Sequence, residues 1–251
     1  FTNPRPTKDS IGSNNESDEY ISHQNKSNNI TNFVYRIARN FTLKRKLSLI
    51  NSYQLSNRKL LDIGCGTGHF INKCSQDGWL VEGIEPNDTA RAIAKQNNQS
   101  VFEKLSEVDS QNFSIITMWH VLEHISDINE LLGIVHELLH KKGTFIVAVP
   151  NVTSYDAQHY KNDWAAYDVP RHLYHFSQAT MTKMIKKHNF KVQNVLPMKL
   201  DAYYVSLLSE KYKASGIFSY LKSIINGCKS NLYAQNNKNN YSSLIYIIQK
   251  K

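Results

Sequence analysis

The sequence is poor in the residues that define several classes of protein. Its 251 residues include three cysteines, Cys65, Cys74 and Cys228, and none of them belongs to a Cys-x-x-Cys pair. A small, odd number of cysteines argues against a disulfide scaffold and against a structural zinc site in this chain. A reducing compartment, the cytoplasm, is therefore the expected location.

Long apolar runs and a concentrated charge of one sign are also missing. No apolar run approaches the roughly 20 residues that a membrane-spanning helix requires. Lysine and arginine total 30 against 21 acidic residues, a net charge of +9. The lysines are spread along the chain, whereas a nucleic-acid-binding protein usually concentrates them on one face. We therefore expect no transmembrane segment and no nucleic-acid partner.

The first 57 residues differ in composition from the rest. Residues 1–29 are rich in Asn, Ser, Asp and Pro, which predicts an arm that is ordered only when it docks on something. Apolar residues at helical spacing then predict one or two helices over roughly 30–52. We therefore divide the chain into an N-terminal arm with helices, residues 1–57, which could form a lid, and a main domain, residues 58–251.

Strands and helices alternate in the main domain. Apolar runs predict seven strands, over 60–63, 79–84, 100–103, 113–119, 144–149, 191–196 and 243–249. Asp88, Asp127 and Ser177 are the expected N-caps of intervening helices, and Gly143 is an expected helix stop. This alternation predicts an α/β fold, a mostly parallel sheet with helices on both faces.

Two segments interrupt the alternation. Residues 151–176 are dense in aromatic residues and histidines without a clear period, and we expect a lid insertion there. Residues 201–229 predict a helical insertion of two amphipathic helices with apolar faces around Leu207 and Ile224. Core packing is the first expectation for these faces, and a homodimer contact or a membrane-surface contact are the alternatives. The chain is accordingly expected to be a monomer or a homodimer.

A glycine-rich turn, LLDIGCGTG at residues 60–68, follows the first strand. Gly64, Gly66 and Gly68 allow the backbone to approach a ligand closely. A dinucleotide-binding turn requires G-x-G-x-x-G, and His69 stands where its last glycine belongs. The Gly-Lys-Ser/Thr of a phosphate-binding loop is missing too, so the ligand need not carry phosphate.

Two carboxylates accompany this turn. Asp62 lies at the end of the first buried strand, where a carboxylate is costly unless a cationic ligand or loop amides pair with it. Glu85 ends the second strand about 20 residues further on, where an acidic residue can accept both hydroxyls of a ribose. Together they predict a nucleoside ligand with a positively charged, non-phosphate tail.

These residues resemble the class I S-adenosylmethionine-dependent methyltransferases that act on small molecules. The resemblance is carried by the DIGCGTG loop, Glu85-Pro86, the WHVLEH strand end and the PRHLYHF segment, and it covers roughly residues 58–190. It implies a Rossmann-like fold and methyl transfer from S-adenosylmethionine to an unidentified small-molecule or sugar-type acceptor. A non-catalytic S-adenosylmethionine-binding module and an NAD-dependent oxidoreductase are the alternatives.

The resemblance also implies which residues contact the cofactor. Leu105 stands where many relatives carry an acidic residue toward the adenine amine. The N-terminal arm is expected to fold over the cofactor. The expected contacts are Asp62, Gly64, Gly66, Gly68, Phe70, Glu85, Pro86, Asn87, Leu105, Trp119, His120, Tyr20 and His23.

The acceptor is expected to lie against the aromatic segment 151–176, because loops that follow sheet strands carry specificity. Aromatic rings can wall a planar acceptor, and an arginine can hold a carboxylate or phosphate. The predicted acceptor residues are Tyr155, Trp164, Tyr167, Arg171 and His172.

The histidines allow two further interpretations. Residues 120–124 match the H-x-x-E-H string of some zinc peptidases, but that motif requires one continuous helix, and residues 113–119 predict a strand. His172 and His175 have metal-ligand spacing without an evident third ligand, so no metal is predicted. His120, and His172 second, are the candidate general bases, needed only if the acceptor must lose a proton during attack.

The first residues, TNPRP at positions 2–6, match a stretch that follows a cysteine-rich zinc-binding segment in related proteins. The resemblance therefore implies that the full-length gene product carries such a segment upstream of Phe1.

Overall fold

The computed structural model describes residues 1–3, 30–53, 57–97, 100–109, 111–213 and 217–251. Tyr20 and His23, two of the predicted cofactor contacts, lie outside the described residues, as does most of the N-terminal arm.

The described residues alternate between helices and strands. In chain order they are α1 Ile30–Asn51, β1 Lys59–Ile63, α2 His69–Gln76, β2 Leu80–Ile84, α3 Asp88–Lys95, β3 Ser100–Phe102, β4 Phe113–Trp119, α4 Ile128–Leu138, β5 Leu139–Pro150, α5 Tyr155–Tyr160, α6 Gln178–Lys187, β6 Phe190–Pro197, α7 Asp201–Lys213, α8 Ile217–Asn236 and β7 Ser243–Lys250. Short three-ten turns lie at Leu105–Glu107, Leu122–His124, Lys161–Asp163 and Ala165–Tyr167.

The seven strands form one sheet in the order β3-β2-β1-β4-β5-β7-β6. Strand β1 pairs in parallel with both β2 and β4, and β2 pairs in parallel with β3. Strand β7 runs antiparallel to β6, with an irregularity between Val192 and Asn194. The predicted Rossmann-like, mostly parallel sheet is confirmed. Two of its inner strands, β1 and β4, are buried along nearly their whole length, as expected for strands covered on both faces.

Two predicted helix boundaries are wrong. Helix α3 is capped by Asn87, whose side-chain oxygen accepts from the Ala90 N–H at 2.9 Å, because Asp88 is already the first helical residue. Helix α4 ends at Leu138, and β5 begins at Leu139 and continues through Gly143. Gly143 serves the packing of that strand, since a Cβ there would lie 2.8 Å from the Phe113 carbonyl oxygen.

The described chain divides into two compact units. One contains residues 1–3, Trp119–Gly133 and Ile146–Lys251, and the other contains the described residues from 30 to 118 together with Ile134–Phe145. We call them the C-terminal unit and the glycine-turn unit. No helix among the described residues is both long and apolar enough to cross a bilayer.

Helices α7 and α8 of the C-terminal unit turn polar residues inward. Their buried faces carry Ser206, Ser209, Glu210, Ser219, Ser223, Asn226 and Ser230, whereas Tyr204, Tyr212, Phe218, Leu221, Ile224, Ile225 and Leu232 are exposed. Core packing was the first expectation for the apolar faces, and it is wrong for Ile224, which is 55% exposed. The polar faces are buried because their side chains form hydrogen bonds with α5. The Asn226 amide donates to the Tyr160 hydroxyl, and that hydroxyl donates to the Glu210 carboxylate.

Candidate functional site

The glycine turn of the glycine-turn unit is held by the end of β2. The N–H groups of Gly64 and Cys65 both donate to the Ile84 carbonyl, at 2.7 and 2.9 Å. Gly64, Gly66 and Gly68 all adopt positive φ, between 56° and 79°, a region that glycine enters without steric cost. The turn therefore has one defined path, and a side chain at its three glycines would strain it.

Glu85 is held beside this turn by backbone amides. The Gly66 N–H donates to Glu85 Oε2 at 2.8 Å, and the Asn87 N–H donates to Oε1 at 2.9 Å. Burial raises the pKa of this carboxyl, and the two amides oppose that rise. Since a carboxylate can accept about four hydrogen bonds, both oxygens keep capacity for a pair of ligand hydroxyls.

Arg91 fixes the backbone that carries Glu85. Its guanidinium donates to the Glu85 and Pro86 carbonyls, each at 2.8 Å, and it also bonds Asp88. Our reading of the sequence missed this residue, although its position in the first turn of α3, just after the Glu85-Pro86 loop, is the local signal that could have found it. These hydrogen bonds hold the loop after β2 in place.

Asp62 is a buried carboxylate with few partners. It is 2% exposed, and Thr117 Oγ1 on β4 donates to its Oδ1 at 2.6 Å, across the register that pairs the two residues. Burial raises the pKa of Asp62 to about 7, while the Thr117 hydrogen bond and the charge of Lys46 oppose the rise. An additional cation would stabilise the ionised form.

These residues fit S-adenosylmethionine by their chemistry. The cofactor carries an ammonium, a sulfonium and a ribose diol, and the unit offers one buried carboxylate with a raised pKa and one carboxylate positioned by amides. Of the other predicted contacts, Phe70 is buried in α2, Leu105 begins a three-ten turn and Pro86 is exposed. Burial raises the pKa of the Cys65 thiol, so that side chain is a poor nucleophile.

His120 lies in the C-terminal unit between two carboxylates. It follows Trp119, the last residue of β4, and adopts the left-handed φ of 57°. Its Nε2 lies 2.9 Å from Asp201 Oδ2, and its Nδ1 lies 3.5 Å from Glu123 Oε1. Burial alone would lower the pKa of His120, but the two carboxylates raise it to about 10. The ring therefore holds a proton at neutral pH in this arrangement.

The H-x-x-E-H residues do not form the helix of a zinc peptidase. Leu122–His124 is a three-ten turn, and His120 precedes it in a left-handed conformation. Sequence reasoning missed Asp201, which lies 81 positions beyond His120 on α7 and gives no local signal.

The predicted acceptor residues occupy different environments within the C-terminal unit. Trp164 is 2% exposed and its indole N–H donates to Asp156 Oδ2 at 2.9 Å, which does not support a role in lining an acceptor pocket. Arg171 makes two hydrogen bonds to Asp168 Oδ1, at 3.0 and 2.7 Å. Tyr155 is half-buried and stacks on His159.

Two more of these residues face the segment's own backbone and rings. Tyr167 meets Trp164 and His175 edge to face. His172 is 8% exposed, its Nδ1 lies 2.8 Å from the Ala166 carbonyl, and burial lowers its pKa. The segment is therefore largely engaged with itself in this structure.

Comparison with known proteins gives a family and a fold. Residues 35–195, more than half of the chain, match a family model described as a methyltransferase domain. Among curated relatives, the ubiquinone biosynthesis O-methyltransferase of Bartonella tribocorum is 31% identical over 106 residues, covering 39% of this chain and 43% of that protein. The enzyme of the same name from Pelagibacter ubique is 32% identical over 107 residues, covering 39% and 45%. The matches span less than half the length of these relatives.

Solved structures extend the similarity over more of the chain. Magnesium protoporphyrin IX methyltransferase from Synechocystis PCC 6803 with bound S-adenosylmethionine superimposes with a TM-score of 0.59 at 14% identity, covering 100% of both chains. A methyltransferase from Archaeoglobus fulgidus gives a TM-score of 0.55 at 20% identity, covering 85% of this chain and 94% of that one. At these identities the similarity establishes the fold.

Proposed function

Because this chain belongs to the S-adenosylmethionine-dependent methyltransferase family, as its glycine turn predicted, we propose that it transfers the methyl group of that cofactor to a small-molecule acceptor. The observation that carries the proposal is the pair of carboxylates at the glycine turn, Glu85 held by two amides and Asp62 buried beside Thr117. The three free thiols support a cytoplasmic location as part of the proposal.

Each residue of the turn has a distinct task in this proposal. Glu85 accepts the ribose hydroxyls, and the amides of Gly66 and Asn87 keep its oxygens in place. Asp62 offsets the positive charge of the ligand, which in turn favours its ionised form. The cofactor supplies an already activated methyl group, so the protein's main contribution is orientation and exclusion of water.

The acceptor atom in this proposal is a hydroxyl oxygen. The curated relatives are O-methyltransferases by name, and that name is the support for an oxygen acceptor. The predicted roles of His120 and His172 as general bases stay predictions, as do the acceptor contacts of Tyr155, Tyr167 and Arg171. A sugar-type acceptor is the second candidate.

The test is calorimetric titration of the chain with S-adenosylhomocysteine and, separately, with NADH. We expect the first ligand to bind and the second not to. Glu85→Gln should weaken binding at least about tenfold, since two charge-assisted hydrogen bonds to the ribose become neutral ones. Glu82→Gln is the matched control, because Glu82 lies on the same strand and faces Lys59, and its affinity should stay within about twofold of the unsubstituted protein.

Binding of NADH without S-adenosylhomocysteine would overturn the proposal and favour the oxidoreductase alternative. Turnover is then measured with labelled S-adenosylmethionine against a panel of phenols, catechols and sugar nucleotides. Tight cofactor binding without methyl transfer to any of them would favour the non-catalytic module.

A further inference from the structure

A buried carboxylate and two histidines converge within the C-terminal unit. Glu123 and His124 lie on the three-ten turn after β4, and His172 lies on the segment before α6. One ligand atom from each residue lies within 4.8 Å of the others. Glu123 is 1% exposed, and neither of its carboxylate oxygens has a hydrogen-bond partner among the described residues.

Both histidines are held in the tautomer that leaves Nε2 free. Nδ1 of His124 lies 3.1 Å from the Arg171 carbonyl, and Nδ1 of His172 lies 2.8 Å from the Ala166 carbonyl. A carbonyl can only accept, so each Nδ1 carries a proton, and the neutral form of each ring presents its lone pair at Nε2. A backbone carbonyl behind the ring is also the usual orienting partner of a metal-bound histidine.

The two chain segments are fastened to each other by backbone hydrogen bonds. The N–H groups of Leu173 and Tyr174 donate to the Glu123 carbonyl, at 2.8 and 3.3 Å. Thr2 also binds this segment, since its N–H donates to the Leu173 carbonyl and its hydroxyl donates to the His172 carbonyl. The convergence of the three side chains is therefore built into the backbone.

The cluster gathers three acceptors, and the protonated His120 ring faces Glu123 from 3.5 Å. Glu123 contributes a buried carboxylate, and the buried His172 and half-buried His124 contribute lone pairs, an arrangement that a cation among them would stabilise. His120 offers partial compensation from 3.5 Å, but its other nitrogen is engaged with Asp201 at 2.9 Å. Asp168 Oδ2 also faces the cluster, 3.7 Å from His172 Nε2.

We propose that Glu123, His124 and His172 bind a divalent transition-metal ion of the zinc and cobalt class. Two imidazoles with one carboxylate suit such borderline ions, whereas magnesium and calcium prefer all-oxygen sets. Three protein ligands leave at least one coordination position for water or an oxygen of a ligand. This site differs from the pair His172 and His175 considered in the sequence, because His175 Nε2 lies 3.0 Å from the Tyr167 carbonyl.

The test uses the chain after removal of metal by chelation, titrated with Co²⁺ and followed by visible absorption. We expect one equivalent to bind with the ligand-field bands of nitrogen and oxygen coordination, Zn²⁺ to displace it, and Mg²⁺ not to. Glu123→Gln should weaken Co²⁺ binding at least about 100-fold, since loss of an outer-shell partner alone costs 10- to 100-fold. His175→Gln is the matched control and should bind as the unsubstituted chain does.

A second measurement does not depend on the folding of a variant. Histidine ring nitrogen spectra of the unsubstituted chain should shift on addition of Zn²⁺ at His124 and His172 and stay unchanged at His175. The proposal is overturned if Co²⁺ gives no saturable absorption, if Glu123→Gln, with unchanged circular dichroism, binds as tightly as the control, or if the ring shifts do not single out these two histidines. Titration with S-adenosylhomocysteine in the metal-free state reports on the proposed function separately.

Discussion

Two fully buried carboxylates of the C-terminal unit have opposite surroundings. Asp156 on α5 accepts hydrogen bonds from the Trp164 indole at 2.9 Å, from Ser230 at 2.8 Å and from Ser242 at 2.6 Å. Glu123 accepts none among the described residues. A carboxylate surrounded by donors is part of the framework, because its burial is compensated within the fold. In the described part of the chain, Glu123 has only the His120 ring within ion-pair distance, at 3.5 Å, so at similar burial it keeps capacity for a ligand that the fold does not itself provide.

Asp62 in the glycine-turn unit stands between these extremes, with one hydroxyl donor and a pKa raised to about 7. The three acids therefore form a series from framework to ligand site. Substitutions of these acids test whether the number of hydrogen-bond donors distinguishes framework acids from ligand-site acids. Substitutions of two contrasting glycines test the backbone around them.

The largest effect is expected at Asp156. Asp156→Ala leaves the donors of Trp164, Ser230 and Ser242 buried without an acceptor, and we expect the free energy of unfolding to fall by roughly 4 kcal/mol. Urea unfolding followed by circular dichroism measures it. Ser242→Ala, which removes one donor, should cost only about 1 kcal/mol. Equal losses in the two variants would break the distinction between framework and ligand-site acids.

Asp62→Asn, unlike Asp156→Ala, is expected to raise the free energy of unfolding. The folded-state pKa of Asp62 is about 7, above its ordinary value of 3.8. The stability that protonated Asp62 contributes is therefore fully present below about pH 4 and is lost as the pH rises through about 7. At about 1.4 kcal/mol for each pKa unit the ceiling is about 4 kcal/mol, and we expect the variant to be roughly 2 kcal/mol more stable at pH 8.

The measurement for Asp62→Asn is urea unfolding at several pH values. Its advantage over the unsubstituted chain should vanish near pH 4, and its affinity for S-adenosylhomocysteine at pH 8 should fall at least about tenfold, because the ligand loses its carboxylate partner. A variant that is less stable at pH 8 would place Asp62 with Asp156 in the framework.

Gly68→Ala tests the path of the glycine turn. Gly68 has a φ of 79°, and an added Cβ would lie 2.9 Å from the Ala94 Cβ. Left-handed backbone costs a non-glycine residue roughly 1–2 kcal/mol, so with the contact we expect a loss of about 2 kcal/mol. Thermal unfolding measures it, and an unchanged Tm would mean that the turn tolerates a side chain.

Gly133→Ala is the control for Gly68→Ala, and we expect it to have the smallest effect on stability. Gly133 lies within α4 with nothing within 4 Å of its added Cβ. Alanine favours a helix over glycine by about 1 kcal/mol, so this variant should gain roughly 0.5–1 kcal/mol in the same thermal experiment. A loss here would show that helix α4 requires its glycine for packing.

The parts of the fold governed by local sequence could be predicted. Strand β4 has the predicted bounds, because an uninterrupted apolar run determines them. Asn87 was missed as a cap by one position, since Asn and Asp are nearly equal in that role. The carboxylates at the glycine turn were predicted because both lie at strand ends of a known topology.

What depended on distant partners could not be predicted. Helices α7 and α8 carry apolar residues at helical spacing, and nothing in that pattern indicates that Asn226 and Glu210 face Tyr160, 66 and 50 positions away. The same holds for Glu123 and His172, because the H-x-x-E-H string contains Glu123 but not His172. Their environment depends on the contact between two chain segments that are distant in the sequence, and no local pattern indicates that contact.

Cys228 has a practical consequence for these experiments. It is exposed, whereas Cys65 and Cys74 are buried and burial raises the pKa of both thiols. A maleimide dye should therefore attach to a single position of the native chain and to three positions once the chain unfolds. Counting labelled thiols by mass spectrometry therefore measures how far each variant has unfolded, without relying on a spectroscopic signal.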